Sequence, residues 1–286
     1  MHKPTPGNNS VGRSIRLVNL CKFKALLLGS AFFFGCQSVK NLPLHSGYQW
    51  HTEIRAGLPV AMVLPVQATR ADTVRVYLEG DGRAWITATQ PSLDPTPRRS
   101  FMLQLAQSDP GTAVYLARPC QYQKNANCKV ALWTDERFSQ VVLDSLHAAL
   151  NAAKAELHAK TFELIGYSGG GAIALLLAAQ RDDVQQVQTL AGNLSPTAWV
   201  ERHRLTPLHG SLEPADYASH LAAIPQRHFY GTQDKNIPPA SYQDYWQRLA
   251  VKPTCSEQVV IATADHEQGW LTAWPQWREQ PIDCSR

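Results

Sequence analysis

Apolar positions along this 286-residue chain follow two alternating rhythms. Short runs rich in β-branched and aromatic residues recur at 74–78, 113–117, 162–166, 184–190, 228–231 and 259–262. Runs of this length, without strict alternation, predict strands buried on both faces. Between them lie segments with helical spacing, over 100–107, 137–158, 170–180, 241–250 and 269–277. In the longest, Val141, Val142, Leu146, Leu150 and Leu157 carry the apolar stripe. Strand and helix in alternation predict an α/β class fold, a mostly parallel sheet with helices on both faces. One stretch breaks the rhythm. Residues 194–223 hold Pro196, Trp199, Pro207, His209, Pro214 and Tyr217 without a period, and predict a lid or wall over a site.

The junction of one strand with the next helix carries the first chemistry. There the chain reads Gly166-Tyr167-Ser168-Gly169-Gly170, a Gly-x-Ser-x-Gly pattern. The bare pentapeptide arises by chance in about one chain in ten of this length. Its position is the stronger sign. A serine on a tight strand-to-helix turn has its hydroxyl lifted clear of the sheet, and flanking glycines remove the Cβ atoms that would collide. The helix N-terminus behind it favours developing negative charge.

Two later strand ends supply partners. Asp234 follows the strand ending near Gly231, and His266 follows the strand ending near Ala262. Ligands and catalysis belong at the carboxyl edge of open α/β sheets. In the order Ser168, Asp234, His266, the histidine can take the serine's proton and return it to a leaving group. The aspartate can orient and stabilise the imidazole, and the serine can attack a carbonyl carbon. Asp265 adjoins His266 and is poorly placed to reach its ring. Among ten histidines, His203, His209 and His220 lie in the irregular stretch and are further candidates to line a site. Trp270, Trp274 and Trp277 fall at helical spacing and read as core, and Tyr167 reads as packing. Arg118 either faces a substrate or pairs with an acid.

On the elbow Gly166-Tyr167-Ser168-Gly169-Gly170, the Gly-x-x-Asp at 231–234 and His266, the chain resembles the α/β-hydrolase fold superfamily over about residues 74–274. The resemblance implies a Ser168–His266–Asp234 triad working through an acyl-enzyme. It also implies an oxyanion hole, with one N–H from Gly169 and a second from Asp81, or alternatively Gly82. The expected activity is hydrolysis of an ester or thioester, less readily an amide, on a small-molecule or acyl-ester substrate, with no cofactor and no metal. A departure stands in the same loop, Leu78-Glu79-Gly80-Asp81-Gly82-Arg83. Acidic Glu79 and Asp81 oppose an oxyanion unless their carboxylates point away or meet Arg83. The competing reading is a non-catalytic envelope binding or scaffold protein that keeps the fold.

Charge and cysteines add a location. The net charge of +4 is uneven, because Lys3, Arg13, Arg16, Lys22 and Lys24 precede residue 36 and no acid does. The remainder is one unit negative, which gives no electrostatic case for nucleic acid. The basic head runs into a short apolar segment ending at Gly35-Cys36, which predicts a signal peptide over 1–35. That ending resembles the cleavage box of bacterial lipoproteins, in which the cysteine is acylated. The expectation is an exported chain in the periplasm or outer membrane, lipid-anchored at Cys36. Residues 36–47 would be a tether and residues 48–286 the folded domain. Gln37 in place of Asp points to the outer membrane, by resemblance to enterobacterial sorting. Of the remaining cysteines, Cys120 and Cys128 bracket a polar loop, and Cys255 and Cys284 would pin the C-terminal tail. An even count in an exported chain predicts the disulfides Cys120–Cys128 and Cys255–Cys284. A four-cysteine metal site would need a Cys-x-x-Cys pair, which the sequence lacks.

Overall fold

Alternation along one central strand, β3 (Thr73–Leu78), divides the core into two halves. Val74, Val76 and Leu78 enter one apolar cluster, while Tyr77 enters the other. The computed structural model describes residues 42–54, 56–67 and 71–285. The expected signal peptide, the lipidation site Cys36 and the first part of the tether lie outside the described residues.

Seven further strands flank β3: β1 (Tyr48–Glu53), β2 (Val60–Pro65), β4 (Ala113–Leu116), β5 (Thr161–Tyr167), β6 (Val184–Leu190), β7 (Gln226–Gly231) and β8 (Ser256–Ile261). They form one sheet in the order β1-β2-β4-β3-β5-β6-β7-β8. The pairs from β4 to β8 are parallel, and β2 runs antiparallel to both β1 and β4. The sheet is thus mostly parallel, as the alternation of strand and helix predicts. The sequence pattern does not reveal β1 and β2. β2 is a six-residue apolar run closed by Pro65, and its place comes from pairing with β4 across about 50 residues of chain.

Helices cover both faces. On one face α1 (Phe101–Gln107) and α7 (Trp270–Ala273) pack with Tyr77, Tyr115 and Phe229. On the other lie α2 (Gln140–Glu156), α3 (Gly169–Ala179), α5 (Ala218–Leu221) and α6 (Ala240–Arg248). Ser100 starts α1 by accepting a bond from Leu103 N at 2.9 Å, a serine N-cap. α3 is buried along its whole length, which suits a helix apolar all round. α2 buries Val142, Leu143, Leu146, Ala149, Leu150 and Ala153, but Val141 is on the outer side and half exposed. The irregular stretch is structured: α4 (Pro196–His203) opens it, a 3-10 turn over Pro214–Tyr217 follows, and α5 closes it. Leu194, Ala198, Val200, Ala218 and Leu221 are buried, so the stretch is packed onto the body. Trp270 and Trp274 are core residues, and Trp277 packs on Phe229.

Two disulfides, Cys120–Cys128 and Cys255–Cys284, pair as the cysteine spacing predicts. They fit an oxidising compartment. Among the described residues, no helix is long and apolar enough to cross a membrane.

One core histidine has a consequence for stability. His228 on β7 is fully buried between Thr189 Oγ1, at 3.0 Å, and Gln226 Oε1, at 3.2 Å. Burial alone pushes its pKa down to about 3. The unfolded chain therefore takes up a proton below about pH 6.5 that the folded chain refuses until about pH 3, and stability falls as pH drops through that window. We expect the stability lost between pH 7 and pH 5 in urea unfolding to be about 2 kcal/mol smaller in His228→Gln than in the wild type.

Candidate active site

β5 ends at Tyr167 and α3 begins at Gly169, so Ser168 alone makes the turn between them. Its backbone lies at φ 50° and ψ −122°, a region a non-glycine residue enters only when its surroundings hold it there. Ser168 N donates to Leu190 O, while Ser168 O accepts from Gly171 N and Asn193 N. Strand and helix backbones touch across the turn. A Cβ at Gly166 would lie 2.3 Å from Gly170 O, so only glycine fits.

The loops after β7 and β8 bring the other two residues to the same edge. His266 Nε2 is 3.0 Å from Ser168 Oγ, and His266 Nδ1 is 2.9 Å from Asp234 Oδ2. Asp234 is a pure acceptor here, since its Oδ1 also accepts the N–H groups of Asn236 and Ile237, each at 2.8 Å. Nδ1 of His266 therefore carries the proton, and Nε2 presents a lone pair to the serine hydroxyl. The Asp234 side chain is wholly buried and the His266 side chain 22% exposed. Asp265 does not approach the ring. Its Oδ1 accepts from Glu267 N and Gln268 N and shapes the loop that carries His266. Trp270 Nε1 ties the same loop down by donating to Asp265 O and His266 O. Tyr167 packs its ring against His266 and Phe101.

The loop after β3 lies over the first turn of α3. A Cβ at Gly170 would be 2.7 Å from the carbonyl oxygens of both Leu78 and Glu79. A Cβ at Gly169 would be 2.1 Å from Asp81 Oδ1. Gly169 is thus the residue that admits the Asp81 carboxylate to the helix N-terminus, where negative charge is favoured. The N–H of Gly169, first in its helix, has no intrahelical acceptor. Gly82 sits at φ 60°, and its Cβ position is filled by Pro95 O at 2.2 Å.

The two acids of this loop are accommodated by different means, and Arg83 is not their partner. Asp81 Oδ1 accepts from Arg118 Nη1 at 2.9 Å, and Asp81 Oδ2 from Arg137 Nη1 at 2.8 Å. Burial pushes the Asp81 carboxyl up, but the pull of Arg137 and then Arg118 outweighs it and holds the group below its ordinary 3.8. With one carboxylate between two guanidinium groups, the cluster is net positive. Glu79 is buried, and desolvation raises its pKa. Its Oε1 accepts from Gly80 N and its Oε2 from Tyr115 Oη, both at 2.9 Å. Glu79 is therefore a brace for the loop.

The roles of two residues near His266, Asn236 and Trp199, are legible only in three dimensions. Asn236 Nδ2 is 3.2 Å from His266 Nε2. Trp199 Nε1 donates to Asn236 Oδ1 at 3.0 Å, and His203 Nε2 lies 2.8 Å from Asn236 O. Of the histidines in the irregular stretch, His203 thus stands behind the site, whereas His209 and His220 are exposed. Arg137, whose guanidinium also lies over the Trp199 ring at 5.8 Å, precedes α2 in a segment with no motif to mark it.

Solved structures share this arrangement of chain. The chain is similar to an esterase of Pyrococcus furiosus, Pf2001, at TM-score 0.56 and 11% identity, covering 81% of this chain and 88% of that one. It is similar to a putative dienelactone hydrolase of Klebsiella pneumoniae at TM-score 0.52 and 20% identity, covering 81% and 95%. It is also similar to Est1E of Butyrivibrio proteoclasticus at TM-score 0.54 and 13% identity, covering 81% and 95%. At these identities the likeness is one of fold. No protein-family model matches the chain, and no curated protein matches it in sequence.

Asp81→Ala would leave Arg118 and Arg137 buried with their shared carboxylate gone. We expect its unfolding free energy in urea at pH 7 to fall by about 3–5 kcal/mol. The stabilisation from Asp81 is present above its ordinary pKa and is lost as pH falls through the lowered value, so wild type and variant should converge in acid.

Proposed function

We propose, from the α/β-hydrolase fold that this chain has and the contacts at its elbow, that it is a serine hydrolase acting on an ester or thioester, and less readily on an amide. The observation that carries the reading is the continuous line from Ser168 Oγ through the His266 ring to the buried Asp234 carboxylate, at 3.0 and 2.9 Å. These are hydrogen-bond distances at which a proton can move without rearrangement.

In this reading His266 Nε2 takes the Ser168 proton as Oγ attacks the carbonyl carbon. Asp234 holds the Nδ1 proton and stabilises the imidazolium that results. The tetrahedral oxyanion is met by the N–H of Gly169 and a second N–H from the 79–82 loop, that of Asp81 or alternatively Gly82. The Asp81 carboxylate that stands against Gly169 is paired with Arg118 and Arg137, so the charge nearest the oxyanion is not an unmatched negative one. His266 then gives its proton to the departing alkoxide or thiolate, leaving an acyl-enzyme. Water, activated by the same imidazole, releases the acid and restores Ser168. Every step uses side chains and backbone groups of the chain itself. The substrate class that fits is a small-molecule or acyl ester.

Export belongs to the same proposal. Two disulfides and a basic head followed by a short apolar run support it, with Cys36 acylated and the domain lipid-anchored in the periplasm or at the outer membrane.

We expect a fluorophosphonate probe to label the purified wild-type chain and not Ser168→Ala, and turnover of p-nitrophenyl esters to fall about 10⁴- to 10⁶-fold in that variant. A folded chain that takes no label would favour a non-catalytic binding protein. In cells fed an alkyne fatty acid, labelling should vanish in Cys36→Ala; persistent labelling would refute acylation at that residue.

A further inference from the structure

We infer that Asn236, held by α4, is a second partner of His266 and biases its ring toward the neutral, Nδ1-protonated form. This rests on the reading of His266 as the base. The direction of the amide is set by its far side. The indole N–H of Trp199 can only donate, and it lies 3.0 Å from Oδ1 of Asn236. The amide nitrogen therefore faces His266 Nε2, at 3.2 Å. His203, one helical turn beyond Trp199 and in ring contact with it, donates to the Asn236 carbonyl oxygen at 2.8 Å. Asp234 Oδ1 accepts the Asn236 N–H at 2.8 Å. Asn236 is thus gripped at its N–H, its carbonyl and its amide oxygen, and its amide nitrogen points at the base.

The consequence follows from donor and acceptor counts. Neutral His266 offers one lone pair at Nε2, and both Ser168 Oγ–H and Asn236 Nδ2–H are aimed at it. Protonating Nε2 turns that acceptor into a donor facing a donor. The amide cannot turn over to present its oxygen without setting its nitrogen against the indole N–H. A hydrogen bond made only by the neutral form disfavours the charged form. The ring stays competent as a base at lower pH, and the imidazolium formed during turnover is the readier to give its proton to a leaving group. Asn236 acts through His266 and is a positioning residue. Through Trp199 and His203, the placement of α4 then reaches the base.

The ionisable groups at the ring and its supports are Asp234 at Nδ1, Asp265 and Glu267 on its own loop, Tyr167 in ring contact and His203 behind Asn236; Lys235 follows Asp234 in the chain, and Asp81 stands against Gly169 on the far side of the elbow. All are retained in Asn236→Ala and Trp199→Phe, so a difference between these chains and the wild type reports the amide.

The test is an NMR pH titration of the His266 ring in the purified full chain, for wild type, Asn236→Ala and Trp199→Phe. We expect the midpoint to rise in both variants by about half to one pH unit, a three- to tenfold gain in proton affinity. In Trp199→Phe the freed amide turns over and its oxygen meets Nε2–H. The acidic limb of kcat/KM should move up with the midpoint, whereas a merely structural loss lowers kcat/KM equally at every pH. Unchanged midpoints in both variants overturn the inference. Fluorophosphonate labelling of the same samples separates it from the hydrolase reading. Labelled wild type with unmoved midpoints removes only the Asn236 role; unlabelled wild type with raised midpoints removes only the nucleophile.

Discussion

Ser168 is held at φ 50° because β5 and α3 approach too closely for the chain to take any ordinary path between them. That conformation carries a local energetic cost, and the packed sheet and helix around it offset the cost. From it follow the exposure of the hydroxyl at the sheet edge, the freedom of the Gly169 N–H and the closeness of the 79–82 loop. Gly166 and Gly170 make the turn sterically possible. Gly169 has a different task, since any side chain there would occupy the space of the Asp81 carboxylate.

The electrostatics around the elbow are arranged by burial as much as by charge. Asp81 and Glu79 are two residues apart, yet their environments push their pKa values in opposite directions. Two guanidinium groups keep Asp81 ionised, while desolvation dominates at Glu79. Charges taken out of water must be paired and hydrogen-bonded to persist; Arg137 and the two terminal nitrogens of Arg118 bond to Asp81 and backbone carbonyl oxygens, while Arg118 Nε is left without a partner among the described residues. The carboxylate beside the elbow is thereby held as a matched charge.

The irregular stretch contributes through packing. α4 and α5 are seated on the body by buried Ala198, Val200 and Leu221. Trp199 and His203 use the remaining side of α4 to grip the loop after β7. Rigid placement of this helix and precise aim of the His266 ring are then one mechanical unit, and a change in either reaches the other.

The alternation of strand-like and helix-like runs was enough to read the parallel part of the sheet, and the positions of Ser168, Asp234 and His266 at strand ends were enough to nominate them together. Both readings work because they depend on local rules: side-chain periodicity, the steric needs of a tight turn, and the common edge to which parallel strands deliver their loops. The cysteine pairs were legible for a similar reason, since one pair brackets a short loop and the other a tail. The antiparallel strands β1 and β2 were not legible, because short apolar runs take their strand character from partners far along the chain. Nor were the roles of Arg137, Trp199 and Asn236. Nothing in their own neighbourhoods marks them, and the salt bridge to Asp81 and the amide at His266 exist only where four separate loops and a helix converge. Sequence alone therefore determined the parallel strands, the helices that alternate with them, and which side chains stand at their ends. Tertiary structure alone decided which acid meets which base, because pairing energies depend on distance and desolvation, and both are set by the packed whole.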